Sequence, residues 1–196
     1  MSRVLAMCLD AAIAGIILIP LFVLLNKFYY HSKIRCVFFT LFGLYLCGMY
    51  AVVGLPDIRY VRFDPNYNII PFAYMFSDFT NSFLNILLFI PMGFFLPVFW
   101  DYYRKMHRTV LFGFFASFII ETLQIFTFRA SDINDLLTNT TGTLIGWCCA
   151  KWVLSMKSGI VPGGNHRKLF VICISSFVIM FFLQPYLANW IIVYLL

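Results

Sequence analysis

Glu121, Gln124, Arg129, Asp132, Asp135 and Asn139 fall in one short stretch, ETLQIFTFRASDINDLLTN (residues 121–139), at the facing ends of two otherwise apolar segments. Apolar segments do not carry such residues cheaply. An ionisable side chain near a bilayer centre costs about 2.5–3.5 kcal/mol on insertion scales, so it usually faces a partner or a cavity. Two chemistries suit these residue types. Glu121 with Asp132 or Asp135 can act as acid and base if burial separates their proton affinities. Carboxylates with asparagine oxygens can also hold a hard divalent cation such as Mg²⁺ or Ca²⁺. The sequence calls for no other cofactor. His31, His107 and His166 all lie in other loops, which argues against a histidine-based nucleophile or a zinc centre here. There is no glycine-rich phosphate cradle to support ATP-driven transport.

Helical spacing gathers these residues. Asp132, Asp135, Asn139, Gly142 and Gly146 are separated by three, four, three and four residues and share one helix face. Gly142-x-x-x-Gly146 offers a small surface for close helix approach, so this face is expected to look toward protein. Glu121 and Gln124 are neighbours on the preceding helix. If that helix runs to residue 127, Glu121 lies about 10 Å below its end, level with Asn139 in the antiparallel neighbour. Asn85 joins from a third segment, above Pro91 and Gly93. A structural account also exists. Ser131 can cap the following helix, Asp132 and Asp135 suit the positive end of its dipole, and Arg129 can pair the carboxylates to staple a hairpin. Membrane-depth hydrogen bonds average only about 0.6 kcal/mol. Seven polar residues exceed what a hairpin requires, which favours a ligand-binding pocket lined by Asn85, Glu121, Gln124, Arg129, Asp132, Asp135 and Asn139.

The elements that must position them are transmembrane helices. The chain is 62% hydrophobic and 11% charged, against about 25% charge in soluble domains, and its mean hydropathy is +0.89. The expected fold is all-α, a polytopic transmembrane bundle with no soluble domain. Six apolar segments, about 4–25, 37–54, 83–99, 110–127, 133–150 and 169–195, approach the roughly 20 residues a span needs. Pro185 should kink or end the last, leaving Tyr186–Leu196 to span or to lie in the interface. The sequence divides into two N-terminal helices (1–55), a core of an aromatic loop and three helices (56–155), and a loop with a C-terminal helix (156–196). Ten of the fourteen basic residues, including Lys27, Arg35, Arg104, Arg108 and Arg167, fall in alternate loops. That is the positive-inside pattern, so the net charge of +6 reports topology and anionic lipid rather than nucleic acid. It puts loops 26–36, 100–109 and 151–168 in the cytoplasm, with loop 55–82 and the turn 128–132 outside. Loop 55–82 is rich in aromatic residues and carries Asp64-Pro65-Asn66 as a turn signal. It is expected to lie on the membrane surface or to border the polar cluster. Asp10, alone in the first span, should snorkel or pair within the bundle. The six cysteines have no paired spacing and read as packing residues.

Over about residues 66–150 the chain resembles the VanZ-like family of bacterial membrane proteins. The motifs are Asn68-Ile69-Ile70-Pro71-Phe72, then Asn85-Ile86-Leu87-Leu88-Phe89-Ile90-Pro91-Met92-Gly93, then Glu121-x-x-Gln124. The last is Arg129-x-x-Asp132-x-x-Asp135-x-x-x-Asn139-x-x-Gly142-x-x-x-Gly146. Asn134 departs from the family, where an acidic residue often stands. The resemblance implies a multi-pass protein of the bacterial plasma membrane with a role in resistance to glycopeptide antibiotics, teicoplanin above all. It implies no particular reaction. Teicoplanin is acylated and acts outside the cell, so the expected partners are membrane lipids and a lipid-linked precursor or acylated antibiotic. Three functions remain open: a binding protein, an intramembrane enzyme acting on a lipid-linked cell-surface molecule, and a lipid or drug transporter.

Overall fold

The computed structural model describes residues 3–63, 67–68, 70, 72, 79–127, 131–156 and 164–195. Among them are seven α-helices: α1 (Arg3–Leu25), α2 (Lys33–Val53), α3 (Phe79–Phe99), α4 (Met106–Gln124), α5 (Ile133–Met156), α6 (His166–Val178) and α7 (Gln184–Leu195). Two short extended pairs, β1 (Tyr67–Asn68) and β2 (Ser131–Asp132), lie parallel, with Tyr67 opposite Ser131 and Asn68 opposite Asp132. The architecture is an all-α bundle. Five described helical stretches are long and apolar enough to cross a membrane: Leu9–Tyr30, Lys33–Val53, Phe79–Phe99, Met106–Gln124 and His166–Ile191. The sixth expected span, α5, is 24 residues long, about 36 Å, but it is not apolar enough to be counted with them. Its polar residues Asn134, Thr138, Asn139 and Thr143 are all buried.

The chain forms two compact units, Met1–Val61 with His166–Leu196, and Arg62–Asn165. In the first unit, Leu18 and Phe22 of α1 pack into the space left by Gly43 of α2. The Ser176 hydroxyl of α6 donates to the Gly43 carbonyl at 3.4 Å. Asp10 does pair within the bundle. Its Oδ1 accepts from Gln184 Nε2 at 2.6 Å, joining segments 174 residues apart.

Pro185 neither ends the last helix nor leaves its backbone unsatisfied. A π-turn, Ile179–Leu183, precedes it, and the chain stays helical through Leu195. A proline has no N–H to offer the carbonyl four residues back. That carbonyl, Phe181 O, is instead taken by the Ile58 N–H at 3.1 Å.

Candidate functional site

The second unit is built around α5, held between α3 and α4. The α3–α5 contact depends on glycine. A Cβ on Gly142 would collide with the Ile86 carbonyl, and one on Gly146 with the Ile90 carbonyl. One on Gly93 would collide with the Thr143 carbonyl. Small residues on both helices thus let the two backbones touch. The register 86–142 and 90–146 makes the helices parallel. On its other side α5 runs antiparallel to α4. Asn139 Nδ2 donates to Ser117 Oγ at 2.9 Å, the Thr143 side chain fills the space over Gly113, and Trp147 Nε1 donates to the Arg104 carbonyl at 3.1 Å. The expected tight hairpin of α4 and α5 is present, with the glycine face turned to α3.

At the end of α5 where β2 enters, polar side chains organise the backbone. The helix begins at Ile133. Its cap is Asp132, not the expected Ser131: Asp132 Oδ1 accepts the Asn134 N–H at 2.8 Å. Ser131 is one residue too far from the first turn and lies in the extended pair. Asn68 Nδ2 reaches both Asp132 carboxylate oxygens at 3.3 Å. Asn134 is 3% exposed, and its Oδ1 accepts the Phe72 N–H at 2.7 Å, fixing Phe72 in a left-handed conformation with φ 63°. Part of the aromatic loop therefore docks against the start of α5. Residues 73–78 lie outside the described region.

Glu121 reaches the same place from α4. It is 7% exposed, and its Oε2 accepts the Asp132 N–H at 2.9 Å. The Ser131 side chain hydrogen-bonds to it as well, and Asp132 and Asp135 are close enough to act on it electrostatically. Gln124, the last residue of α4, is buried. Its carbonyl accepts from Thr127 N and Oγ1 at 3.0 and 2.9 Å. Asp135 is half-buried, and its carbonyl accepts from Thr138 Oγ1 at 3.1 Å. Asn139 is 2% exposed, and its Oδ1 is buried without a hydrogen-bond partner among the described residues. Asn85 is half-buried on α3, one residue before Ile86. Arg129 lies outside the described residues.

The depth matching differs from expectation. Asn139 pairs with Ser117, one turn deeper than Glu121, whereas Glu121 meets the start of β2. The reason is that α4 stops at Gln124 rather than 127, so Glu121 sits only about 4.5 Å from its end. The sequence reading passed over Asn134, Ser117 and Asn68 as site residues. Ser117 had a visible signal, a small hydroxyl four residues before Glu121 in an apolar helix. Asn68 and Asn134 had none beyond the loop motif, because their partners lie 62 to 64 residues away.

Three carboxylates, Glu121, Asp132 and Asp135, and the amides of Asn68 and Asn134 thus gather at the start of α5, with Asn139 six residues further along the helix against Ser117. Among the described residues no group of three or more His, Cys, Asp or Glu side chains is arranged to hold a metal ion. The array offers carboxylate acceptors and amide donors and acceptors.

A family model described as VanZ/LLP1 matches residues 42–154, more than half of the chain. The chain belongs to the VanZ/LLP1 family. The match starts within α2, earlier than the motifs alone indicated, and takes in every residue of the polar array. This VanZ-like chain matches no curated protein and no solved structure. Its family membership and apolar helices identify it as a VanZ-like multi-pass membrane protein.

Proposed function

We propose that this VanZ-like protein lowers susceptibility to teicoplanin-type glycopeptides by binding an acylated or lipid-linked ligand at the polar end of α3, α4 and α5. Family membership supports the link with resistance in general. The observation that carries the binding reading is Asn139. A buried acceptor left unpaired costs about 1–3 kcal/mol, and a ligand N–H or O–H entering beside Glu121 would recover it. Asn85, Gln124, Arg129, Asp132 and Asp135 complete the lining in this reading. The positive-inside pattern of the basic loops supports an outer-leaflet position for this end in a bacterial plasma membrane, the leaflet into which an acyl chain arriving from outside partitions. No cofactor takes part.

The test is single replacement of Glu121, Asp135 and Asn139 by alanine, with membrane levels of each variant checked. Raised drug susceptibility in at least one correctly inserted variant is expected. Unchanged susceptibility in all three would make the array purely structural. The grouping of three carboxylates favours one rival, an intramembrane enzyme acting on a lipid-linked surface molecule. It requires a new or missing species among extracted lipids and wall precursors when the chain is expressed. The binding reading requires identical profiles.

A further inference from the structure

The first unit has a second feature, at the end where α1 gives way to a π-turn, Asn26–Tyr30. An open groove of about 660 Å³ is lined there by Leu25, Phe28, Tyr29, His166, Arg167, Phe170 and Val171. Its walls are almost wholly apolar, and its rim is basic. Arg167 lines it directly. Lys168 Nζ stands 6.0 Å from the Tyr29 ring centroid, and Arg35 is close enough to act on Lys168 electrostatically. Lys27 Nζ stands 5.7 Å from the Phe28 ring centroid. Lys27, Arg35 and Arg167 are exposed.

The exposed cations Lys27, Arg35 and Arg167 have no acidic residue nearby among the described residues of their own unit. The unit contains two acidic residues, Asp10 and Asp57. Both sit at the opposite end. Asp57 and Arg59 lie within electrostatic reach of Asp10, Arg59 pairs with Asp57 at 3.5 Å, and Asp10 is held by Gln184. Asp10 is sixteen residues before Asn26 along one helix, about 24 Å away. The basic rim also falls in the first turns of α2 and α6, neither of which carries an acidic residue. Basic side chains at the positive end of a helix dipole add to its field rather than offset it. Like charges gathered around an apolar groove suit an anion with an apolar body.

We propose that this groove is a binding site for one anionic phospholipid. Its phosphate is held by Arg35, Arg167 and Lys168, and the first part of one acyl chain lies along Leu25, Phe28, Phe170 and Val171. Guanidinium groups match phosphate oxygens in a fixed fork. Basic pockets between transmembrane helices recognise anionic head groups in this way. Tyr29 has the amphipathic ring suited to the head-group level. The site is separate from the polar array around Glu121 and does not depend on it.

The experiment is native mass spectrometry of the full chain in detergent, titrated with phosphatidylglycerol or phosphatidylcholine of the same acyl chains. One phosphatidylglycerol should remain bound per chain, about tenfold or more in preference to phosphatidylcholine. R35Q combined with R167Q should abolish the preference, and R35K with R167K, which keeps the charge but loses the guanidinium fork, should retain only part of it. K105Q with R108Q, in the basic loop of the other unit, should leave it unchanged. Glycerol phosphate, which has the anion without the acyl chain, should not compete. Equal retention of the two lipids, or equal loss of preference in both glutamine pairs, would overturn the site in favour of unspecific surface charge. Displacement by glycerol phosphate would overturn it in favour of a soluble anion. Size-exclusion profiles matching the parent chain show that R35Q/R167Q is folded, so that its result bears on the site.

Discussion

Glu121 Oε2 accepts the backbone N–H of Asp132 at 2.9 Å, which makes a side chain of α4 the partner of the strand residue that caps α5. The carboxylate that the sequence offers as one half of an acid–base pair is therefore also an anchor for the hairpin connection. Glu121→Ala should leave a part-buried N–H without its acceptor and cost about 1–3 kcal/mol. Glu121→Gln keeps an acceptor oxygen and should cost less. Thermal unfolding in detergent reads the order. If the two variants melt alike, the Asp132 bond contributes little to stability.

The α3–α5 contact is predicted to be intolerant of any side chain. Gly142→Ala and Gly146→Ala each place a Cβ against a backbone carbonyl, which no rotamer change relieves, and overpacking of this kind costs about 1–3 kcal/mol. Gly48→Ala is the contrast. Nothing lies within 4 Å of its added Cβ, so the gain in helix propensity, about 1 kcal/mol, should appear undiminished. Folded yield after purification should fall for the first two and hold or rise for the third.

Besides the β1–β2 pairing, two side-chain ties of the docked loop among the described residues can be cut separately. Asn68→Ala removes the donor to Asp132, and Asn134→Leu removes the acceptor for Phe72 N–H. Each should speed amide exchange around residues 67–72 by roughly five- to tenfold, a bond being worth about 1 kcal/mol. Asn134→Asp retains an acceptor oxygen and should leave exchange at Phe72 near the parent rate. Fast exchange in that variant would mean that the amide group, not the oxygen, holds the loop.

Asp10 and Gln184 join the first and last helices of their unit. Gln184→Leu strands a carboxylate at the contact, whereas Asp10→Asn combined with Gln184→Leu leaves no charge there. Leaving a carboxylate without its neutral amide donor is costly, and removing the charge together with the donor is less so. The single variant should melt below the double variant. The reverse order would place Asp10 in water.

Much of this protein was legible in its sequence, because hydropathy and helical periodicity are local. The all-α membrane bundle and the α4–α5 hairpin follow from hydropathy and from side chains spaced three and four apart on one helix. The single face expected for Asp132, Asp135, Asn139, Gly142 and Gly146 divides, however: Asp132 lies in β2, Asn139 turns to α4 and the two glycines turn to α3. Gly142-x-x-x-Gly146 also announced a close crossing, though not that α3 would supply Ile86 and Ile90 as its floor. Termini and partners were decided in three dimensions. Asp132 rather than Ser131 caps α5, since β1 holds the chain extended one residue further. Asn139 meets Ser117 rather than Glu121, since α4 stops at Gln124. Nothing local at Asn68, Asn134 or Asp10 encodes partners 62 to 174 residues away. The sequence determined which residues must avoid lipid. The packing of helices from distant parts of the chain decided which group each of them meets, because a hydrogen bond depends on spatial reach and not on spacing along the chain.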